Sequence, residues 1–339
     1  MTHLNLVIIN TIKESINGTL LYKVIFFLIA FINILAIYFD IFWLKAITKP
    51  FITIILFFIY ADSFSVIASY HNDIETEERS EFDENIKSVI SKAYNSVSDG
   101  FIFIFTSLIF CFLGDIFLLF ENTFLVGLLC FLMGHFCFWV LLWRNSLKKE
   151  GLIVKNKILI LPFIAYLGIL LYYIFPHIKN DLILQIAVVI YGTAITVSGI
   201  LALNRFGFIS TNTFVLVFVG FLFFIISDTW IAWQKFVLKT NHTFDNLMVM
   251  TTYIIALFLI VQGFIDQKVT EIKLILNELN LFSNTESKQG KSIIKQLEEN
   301  ITVIFNKHSD SKKKLTKKER EELFEQIKRE FINQKNKNK

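Results

Sequence analysis

Eight apolar stretches of about 20 residues constrain this chain more than any other feature of its sequence. A helix of that length, at a rise of 1.5 Å per residue, crosses a hydrocarbon core roughly 30 Å thick. Hydrophobic residues make up 54% of the 339-residue chain, more than a soluble core absorbs. The stretches do not alternate as barrel strands do. We predict spanning helices over 23–43, 48–69, 101–120, 124–144, 157–176, 182–203, 212–235 and 245–265.

The predicted fold class is an all-α membrane protein, a bundle of about eight transmembrane helices with a C-terminal cytoplasmic helical tail. An N-terminal segment, 1–22, precedes the transmembrane domain, 23–265, and a charged, partly helical tail, 266–339, follows it. An acidic insert, 71–100, divides the second and third spans, and its part from Phe82 to Val97 has the pattern of a short amphipathic helix.

Lysines and arginines in the connections predict the orientation. The loop between the fourth and fifth spans is basic, as is the tail, and eight crossings place both on the side of the N-terminus. We therefore expect both termini in the cytoplasm. No secretory signal is evident, and the Lys-, Asn-, Ile- and Phe-rich composition favours a bacterial inner or plasma membrane. Basic residues gather in the loops and the tail, which suits a membrane topology better than nucleic-acid binding. The expected partners are membrane lipids, and the tail is open to a solvated, a protein-binding or an anionic-lipid-binding role.

Two acidic residues lie inside apolar stretches. Asp115 is in "CFLGDIFLLF" on the third span, and Asp228 is in "GFLFFIISDTWIA" on the seventh. An ionisable group within a membrane costs several kcal/mol and by default marks function. Both spans run in the same direction, and both acids lie roughly 20–25 Å along them. We therefore expect the two acids at one level of the outer half, around a polar chamber that opens outward.

Further polar residues are expected to join the two acids. A structural hydrogen-bonding role is the plainer alternative for each, and a structural pair or an ion relay is the alternative for the acids. Only one histidine lies well inside a span, fewer than the three protein ligands that zinc commonly needs, so no metal site is predicted. The polar residues that we expect around the chamber are His135, Tyr191, Tyr253, Ser227, Lys49 and Asn122.

Six short motifs, in order and on separate spans, resemble the YhhN-like membrane proteins, which include the animal lysoplasmalogenases. The resemblance covers roughly 45–264, and the chain departs from it at Leu257, where the family usually has glutamine. The motifs are "TKPF" (Thr48–Phe51), "GDIFL" (Gly114–Leu118), "FLVGLLCFLMGH" (Phe124–His135), "YGTAITVSGILALNR" (Tyr191–Arg205), "GFLFFIISDTWIA" (Gly220–Ala232) and "TYIIALFLIVQG" (Thr252–Gly263).

The resemblance implies an ether hydrolase that cleaves the vinyl ether bond of lysoplasmalogens. The products are a fatty aldehyde and glycerophospho-ethanolamine or -choline, and the reaction needs no cofactor. One acid must protonate the β-carbon of the alkenyl group while a second group activates water. Two carboxyls that share a low-dielectric site do not easily ionise together. One can therefore stay protonated as the acid while the other is ionised and activates water. Asp115 and Asp228 would be this dyad, and Lys49, on their side of the membrane, is preferred to Arg205 for the phosphate.

Two other functions remain open on the sequence. A proton-coupled transporter also places acids in its spans, and the third and fourth spans resemble the seventh and eighth as a loose parallel repeat. A non-catalytic lipid sensor or scaffold would instead use the acidic insert and the basic tail. Truncating both segments would leave an enzyme largely active and would disable a scaffold.

Overall fold

The computed structural model of the chain describes residues 2–76, 84–145, 151–207, 209–239 and 242–283, in which there are helices and turns but no strand. A π-helix, Trp233–Leu238, and two short 3-10 helices supplement the nine α-helices of this part of the chain. The α-helices are α1 Thr2–Tyr38, α2 Phe42–Thr76, α3 Glu84–Phe117, α4 Phe124–Asn145, α5 Leu152–Lys155, α6 Leu161–Ile178, α7 Leu182–Asn204, α8 Thr211–Ala232 and α9 Thr243–Ser283.

Eight segments are long and apolar enough to cross a membrane, which confirms the predicted fold class of an integral multi-pass protein. An even number of crossings places the two ends of the spanning region on the same side, whereas which side that is stays a prediction. The spans are Leu20–Tyr38, Phe42–Ser63, Gly100–Phe117, Phe124–Trp143, Lys157–Ile178, Leu182–Asn204, Thr211–Leu238 and Thr243–Thr270.

The boundary between the first two spans was predicted wrongly. The first span ends at Tyr38, not at residue 43, and α2 begins at Phe42. Asp40 turns the chain with a φ of 54°, and the Lys45 ammonium nitrogen lies 2.6 Å from the Asp40 carboxylate oxygen Oδ1. The apolar residues on both sides of this turn hide it in a hydropathy profile. Pro50 consequently lies inside α2.

Both extramembrane segments connect to spans without a helix break. The amphipathic helix predicted over Phe82–Val97 is the first half of α3, which runs from Glu84 into the third span. At the other end, α9 continues past residue 265 to Ser283, which confirms helical structure at the start of the tail. Residues 77–83 of the insert and 284–339 of the tail lie outside the described residues.

The last span forms the centre of the bundle. α9 packs against α8 along its length and also contacts α1, α2 and α3. Gly220 on α8 permits a close approach of α8 and α9, since a Cβ there would lie 2.8 Å from Ile260 Cγ1 and 3.0 Å from its backbone nitrogen. Small residues let membrane helices approach closely in this way. Leu257, at the position where the resemblance leads us to expect glutamine, is fully buried in this core.

Candidate active site in the membrane

Asp115 lies in the last turn of α3 and is fully buried. The Tyr253 hydroxyl donates to its Oδ2 at 2.9 Å, and the Thr53 hydroxyl lies 3.4 Å from the same atom. The Lys49 ammonium is 3.5 Å from Oδ1. Lys49 and Thr53 are one turn apart on α2, and the Thr53 hydroxyl also donates to the Pro50 carbonyl at the shorter distance of 2.9 Å. The cation on α2 and the Tyr253 hydroxyl on α9 are therefore the main partners of this carboxylate.

Asp228 lies on α8 and is also buried. The Tyr191 hydroxyl on α7 donates to its Oδ2 at 2.6 Å, and His135 Nε2 on α4 is 3.8 Å from that oxygen. Each of the two carboxylates therefore accepts a hydrogen bond from the tyrosine hydroxyl of a different helix. Hydrogen bonds to buried charged groups are among the stronger ones, so both phenols hold their carboxylates in place.

Ser198 sets the orientation of the His135 ring. His135 Nδ1 and Trp139 Nε1 are each 2.8 Å from the Ser198 hydroxyl oxygen, and the hydroxyl donates to the Ala194 carbonyl at 3.1 Å. A hydroxyl has one proton and two lone pairs. Trp139 Nε1 can only donate, so the Ser198 oxygen accepts that bond. The contact with Nδ1 holds the His135 ring with Nε2 directed toward Asp228.

Aromatic rings join the two carboxylate environments into one site. The Phe224 ring lies 4.9 Å from the His135 ring and 5.8 Å from the Tyr253 ring, measured between centroids. Phe131 lies behind them, 6.0 Å from Tyr253 and 6.4 Å from Phe224. Its ring covers Gly114, where a Cβ would be only 2.6 Å away. The site is therefore polar at two points and otherwise lined by aromatic rings.

A cleft of about 530 Å³, counted with the space at its mouth, reaches Asp228 from one side. Of its lining residues, all in the described part of the chain, only Tyr191 and Asp228 carry polar side chains. The remaining lining residues are Leu118, Phe124, Leu128, Phe131, Leu170, Ile174, Val188, Gly192, Ile195, Ile231, Ala232 and Phe236.

Most of the residues predicted for the site do converge. The structure brings Lys49 and Tyr253 to Asp115, and His135 and Tyr191 to Asp228.

Two of the predicted residues do not join them. Ser227 turns away from Asp228 and donates to the Val249 carbonyl at 3.1 Å, which ties α8 to α9. Asn122 is exposed in the turn after α3 and is absent from the recorded hydrogen bonds of both carboxylates.

Arg205 lies at the other end of the bundle, as expected. It follows the last residue of α7, 14 positions and thus about 21 Å of helix from Tyr191. Its guanidinium is buried, donates to Gln267 and lies 5.0 Å from the Phe264 ring centre. This arrangement joins the ends of α7 and α9 and leaves Lys49 as the cation beside the carboxylates.

Thr53, Trp139 and Phe224 contribute to the site but were missed. Thr53 is four residues after Lys49, Trp139 is four after His135, and Phe224 is four before Asp228. Residues four apart share a helix face, so a search of the positions four residues from each predicted site residue would have found them. Within the described residues, no three histidine, cysteine or acidic side chains are grouped as metal ligands would be.

The fold and site define a class: an α-helical multi-pass membrane protein with a pair of buried carboxylates in the bundle. The chain belongs to the YhhN family, whose sequence profile matches residues 88–264. The match holds both aspartates, His135 and both tyrosines, whereas Lys49, in the "TKPF" motif, precedes it. No curated protein and no solved structure matches the chain.

Proposed function

We propose that this protein hydrolyses the vinyl ether bond of lysoplasmalogens, releasing a fatty aldehyde and a glycerophospho-ethanolamine or -choline. Membership of the YhhN family and the lysoplasmalogenase resemblance of its motifs support this reaction. The observation that carries the mechanism is the pair of buried aspartates, each bonded to a tyrosine and joined through the Phe224 ring.

The surroundings of the two carboxyls favour different charge states. Asp115 faces the Lys49 ammonium group and the Tyr253 hydroxyl donor, both of which stabilise a carboxylate, so we assign it as the base. Asp228 accepts a hydrogen bond from Tyr191 and lies 3.8 Å from His135 Nε2, which is a cation only when the ring is protonated. Because Asp115 has the stronger support for a negative charge, we assign the role of general acid to Asp228.

The reaction begins with proton transfer from the Asp228 carboxyl to the β-carbon of the alkenyl group. The carbon–carbon double bond supplies the electron pair, and an oxocarbenium ion forms at the α-carbon and ether oxygen. The ionised Asp115 stabilises this cation electrostatically in a site with few competing polar groups. A saturated ether lacks the double bond and cannot form the cation by this route.

Water then adds to the α-carbon while Asp115 takes one of its protons, which gives a hemiacetal. In the collapse of the hemiacetal its hydroxyl proton returns to Asp228, and the glycerol oxygen leaves with the proton held by Asp115. Both carboxyls regain their starting states, and one water molecule is consumed. Tyr191, Tyr253 and His135 position the pair, and Lys49 is the candidate contact for the phosphate.

The test is aldehyde release by the purified protein from an alkenyl-lysophospholipid, with saturated-ether and ester lysophospholipids of equal chain length as comparisons. We expect aldehyde from the alkenyl lipid alone, with loss of about 100-fold or more in rate for Asp115→Asn and for Asp228→Asn. Asp40→Asn is the matched control, since Asp40 is an exposed carboxylate in a turn. A double variant, Asp115→Asn with Asp228→Asn, that keeps the wild-type rate would refute the dyad.

Transport and a sensor or scaffold role remain the alternatives. Folded protein that releases no aldehyde from either head group would favour them. Deletion of residues 284–339 separates the scaffold from the enzyme, since hydrolysis needs only residues within the described bundle.

A further inference from the structure

We propose that the cleft beside Asp228 binds the hydrocarbon chain of a lipid, and that Gly192 sets how wide a chain it accepts. Its walls come from α4, α6, α7 and the end of α8. α7 contributes Val188, Tyr191, Gly192 and Ile195, at positions i, i+3, i+4 and i+7, which form one helix face. The identity of the lipid's polar end rests on the proposed function, whereas chain binding can be measured by itself.

Polarity is confined to one end of the cleft. From Asp228 the wall continues along α8 through Ile231 and Ala232 to Phe236 in the π-helix, eight residues or about 12 Å further. Beyond Tyr191 and Asp228 all of its lining residues are apolar. A water molecule needs two to four polar partners, so the distal part of such a cleft disfavours water and suits hydrocarbon.

Aromatic rings close the cleft toward the end of the bundle. Phe124, the first residue of α4, lies edge-on to Phe236 with 5.7 Å between ring centres. The Lys235 ammonium lies 5.3 Å from the Phe124 ring centre, an arrangement that stabilises the closed pair. Access from the aqueous side would therefore require separation of this pair.

We infer that the cleft opens sideways to the bilayer. α4 and α6 both pack on α7 but, in the described helices, do not pack closely on each other, and both line the cleft beside Asp228. Membrane lipid, whose chains lie at this depth, is therefore the occupant to which we commit, and a soluble apolar molecule arriving through the Phe124–Phe236 pair is the outcome that the test can reveal instead.

Gly192 lines the cleft on the face of α7 that packs against α6. A Cβ there would lie 3.1 Å from Leu167 Cδ1, the end of a flexible side chain, so the backbone tolerates a larger residue. The added side chain would project into the space between α6 and α7. Gly168 on α6 provides a matched control, because it is exposed and a Cβ there meets no atom within 4 Å.

The experiment uses full-length protein in phospholipid nanodiscs and a saturated-ether lysophospholipid with a diazirine near the end of its chain. This probe cannot be hydrolysed by the proposed reaction. After irradiation, labelled peptides are mapped by mass spectrometry. We expect labels on cleft residues of α4, α6 and α7, a loss of about tenfold or more in Gly192→Leu, and wild-type labelling in Gly168→Leu.

Leu128→Phe, which fills the cleft from the α4 wall, is a second variant in case Gly192→Leu does not fold; it should show the same loss of labelling. Labels confined to the outward faces of the helices, or unchanged cleft labelling in folded Gly192→Leu and Leu128→Phe, would overturn chain binding. Competition by a water-soluble apolar compound but not by added lysophospholipid would identify the other occupant and overturn chain binding too.

The two proposals can fail separately. Cleft labelling without aldehyde release would overturn the proposed function and support chain binding. Aldehyde release without cleft labelling would support the proposed function and overturn chain binding.

Discussion

Tyr253 on α9 donates a 2.9 Å hydrogen bond to Asp115 on α3, and the two residues are 138 positions apart in the chain. Tyr191 on α7 makes the equivalent bond to Asp228 on α8 at 2.6 Å. Each phenol oxygen therefore fixes a carboxylate of another helix. Each carboxylate can therefore be perturbed separately, by substitution of the tyrosine that bonds to it.

Replacing Tyr253 by phenylalanine should lower the rate of aldehyde release by about 10- to 100-fold, the range expected for one hydrogen bond to a charged group. The ring and its packing on Phe131 and Phe224 are retained, so the loss reports the hydroxyl. Tyr172→Phe is the control, since Tyr172 is 74% exposed on the outside of α6. Equal rates for the two variants in a steady-state assay would contradict a role for the Tyr253 hydroxyl.

Ser198→Ala should disturb catalysis through His135. Without the hydroxyl, Nδ1 of His135 loses its hydrogen-bond partner, and the ring is no longer held with Nε2 toward Asp228. We expect a lower kcat and a pH–rate profile of altered shape. The unpaired Trp139 N–H should also cost about 1–3 kcal/mol of stability.

The control for this variant is Ser107→Ala, which removes a buried hydroxyl that bonds only to a carbonyl of its own helix among the recorded contacts. A Ser198→Ala protein with reduced stability but an unchanged pH–rate profile would show that Ser198 is structural alone.

Lys49→Met should reduce activity by about tenfold or more and lower stability by roughly 1–3 kcal/mol, because Asp115 would be left buried without its cation. Lys49→Arg, which keeps the charge, should recover part of the activity. Lys45→Met provides the comparison, since the pair with Asp40 lies in the turn before α2 and such surface pairs contribute about 0–1 kcal/mol. Activity and thermal unfolding in detergent measure both effects, and a Lys49→Met protein as active as Lys45→Met would be evidence against the assignment.

Gly220→Val should destabilise the bundle by about 1–3 kcal/mol through overpacking. The nearest atoms include the backbone nitrogen of Ile260, which cannot move aside as a side chain does. Gly168→Val introduces the same side chain at an exposed glycine and should unfold at the wild-type temperature. If Gly220→Val unfolds at the same temperature as Gly168→Val, α8 and α9 are less tightly packed than the contacts at Gly220 indicate.

Much of this site could be predicted, because a polar residue inside a span has few reasons to be there. Asp115, Asp228 and His135 stand out against apolar neighbours, and helix length alone places them at related depths. Orientation about the helix axis was harder to predict. Ser227 precedes Asp228 by one residue, yet the 100° turn between them directs it to α9 instead of the cleft.

Other features depend on contacts between helices, which the sequence of one helix does not reveal. The Asp40 turn lies within apolar sequence and shifts the first two spans. The cleft arises because α4 and α6 share α7 as a neighbour, and the π-helix that carries Phe236 has no pattern in the sequence that distinguishes it from the end of α8. Such features follow from tertiary packing, which hydropathy and periodicity do not encode.

The Phe131 ring rests on Gly114, one residue before Asp115, and lies beside Phe224, one turn before Asp228. A side chain of α4 thus acts as a spacer between the two helices that carry the acids. Phe131 therefore contributes to the separation of α3 and α8 near the acids, and we expect a shorter residue at 131 to reduce that separation. Inhibitors that bridge both carboxyls, such as rigid diamines, should therefore be ranked by the distance between their nitrogens, and that ranking should change when residue 131 changes.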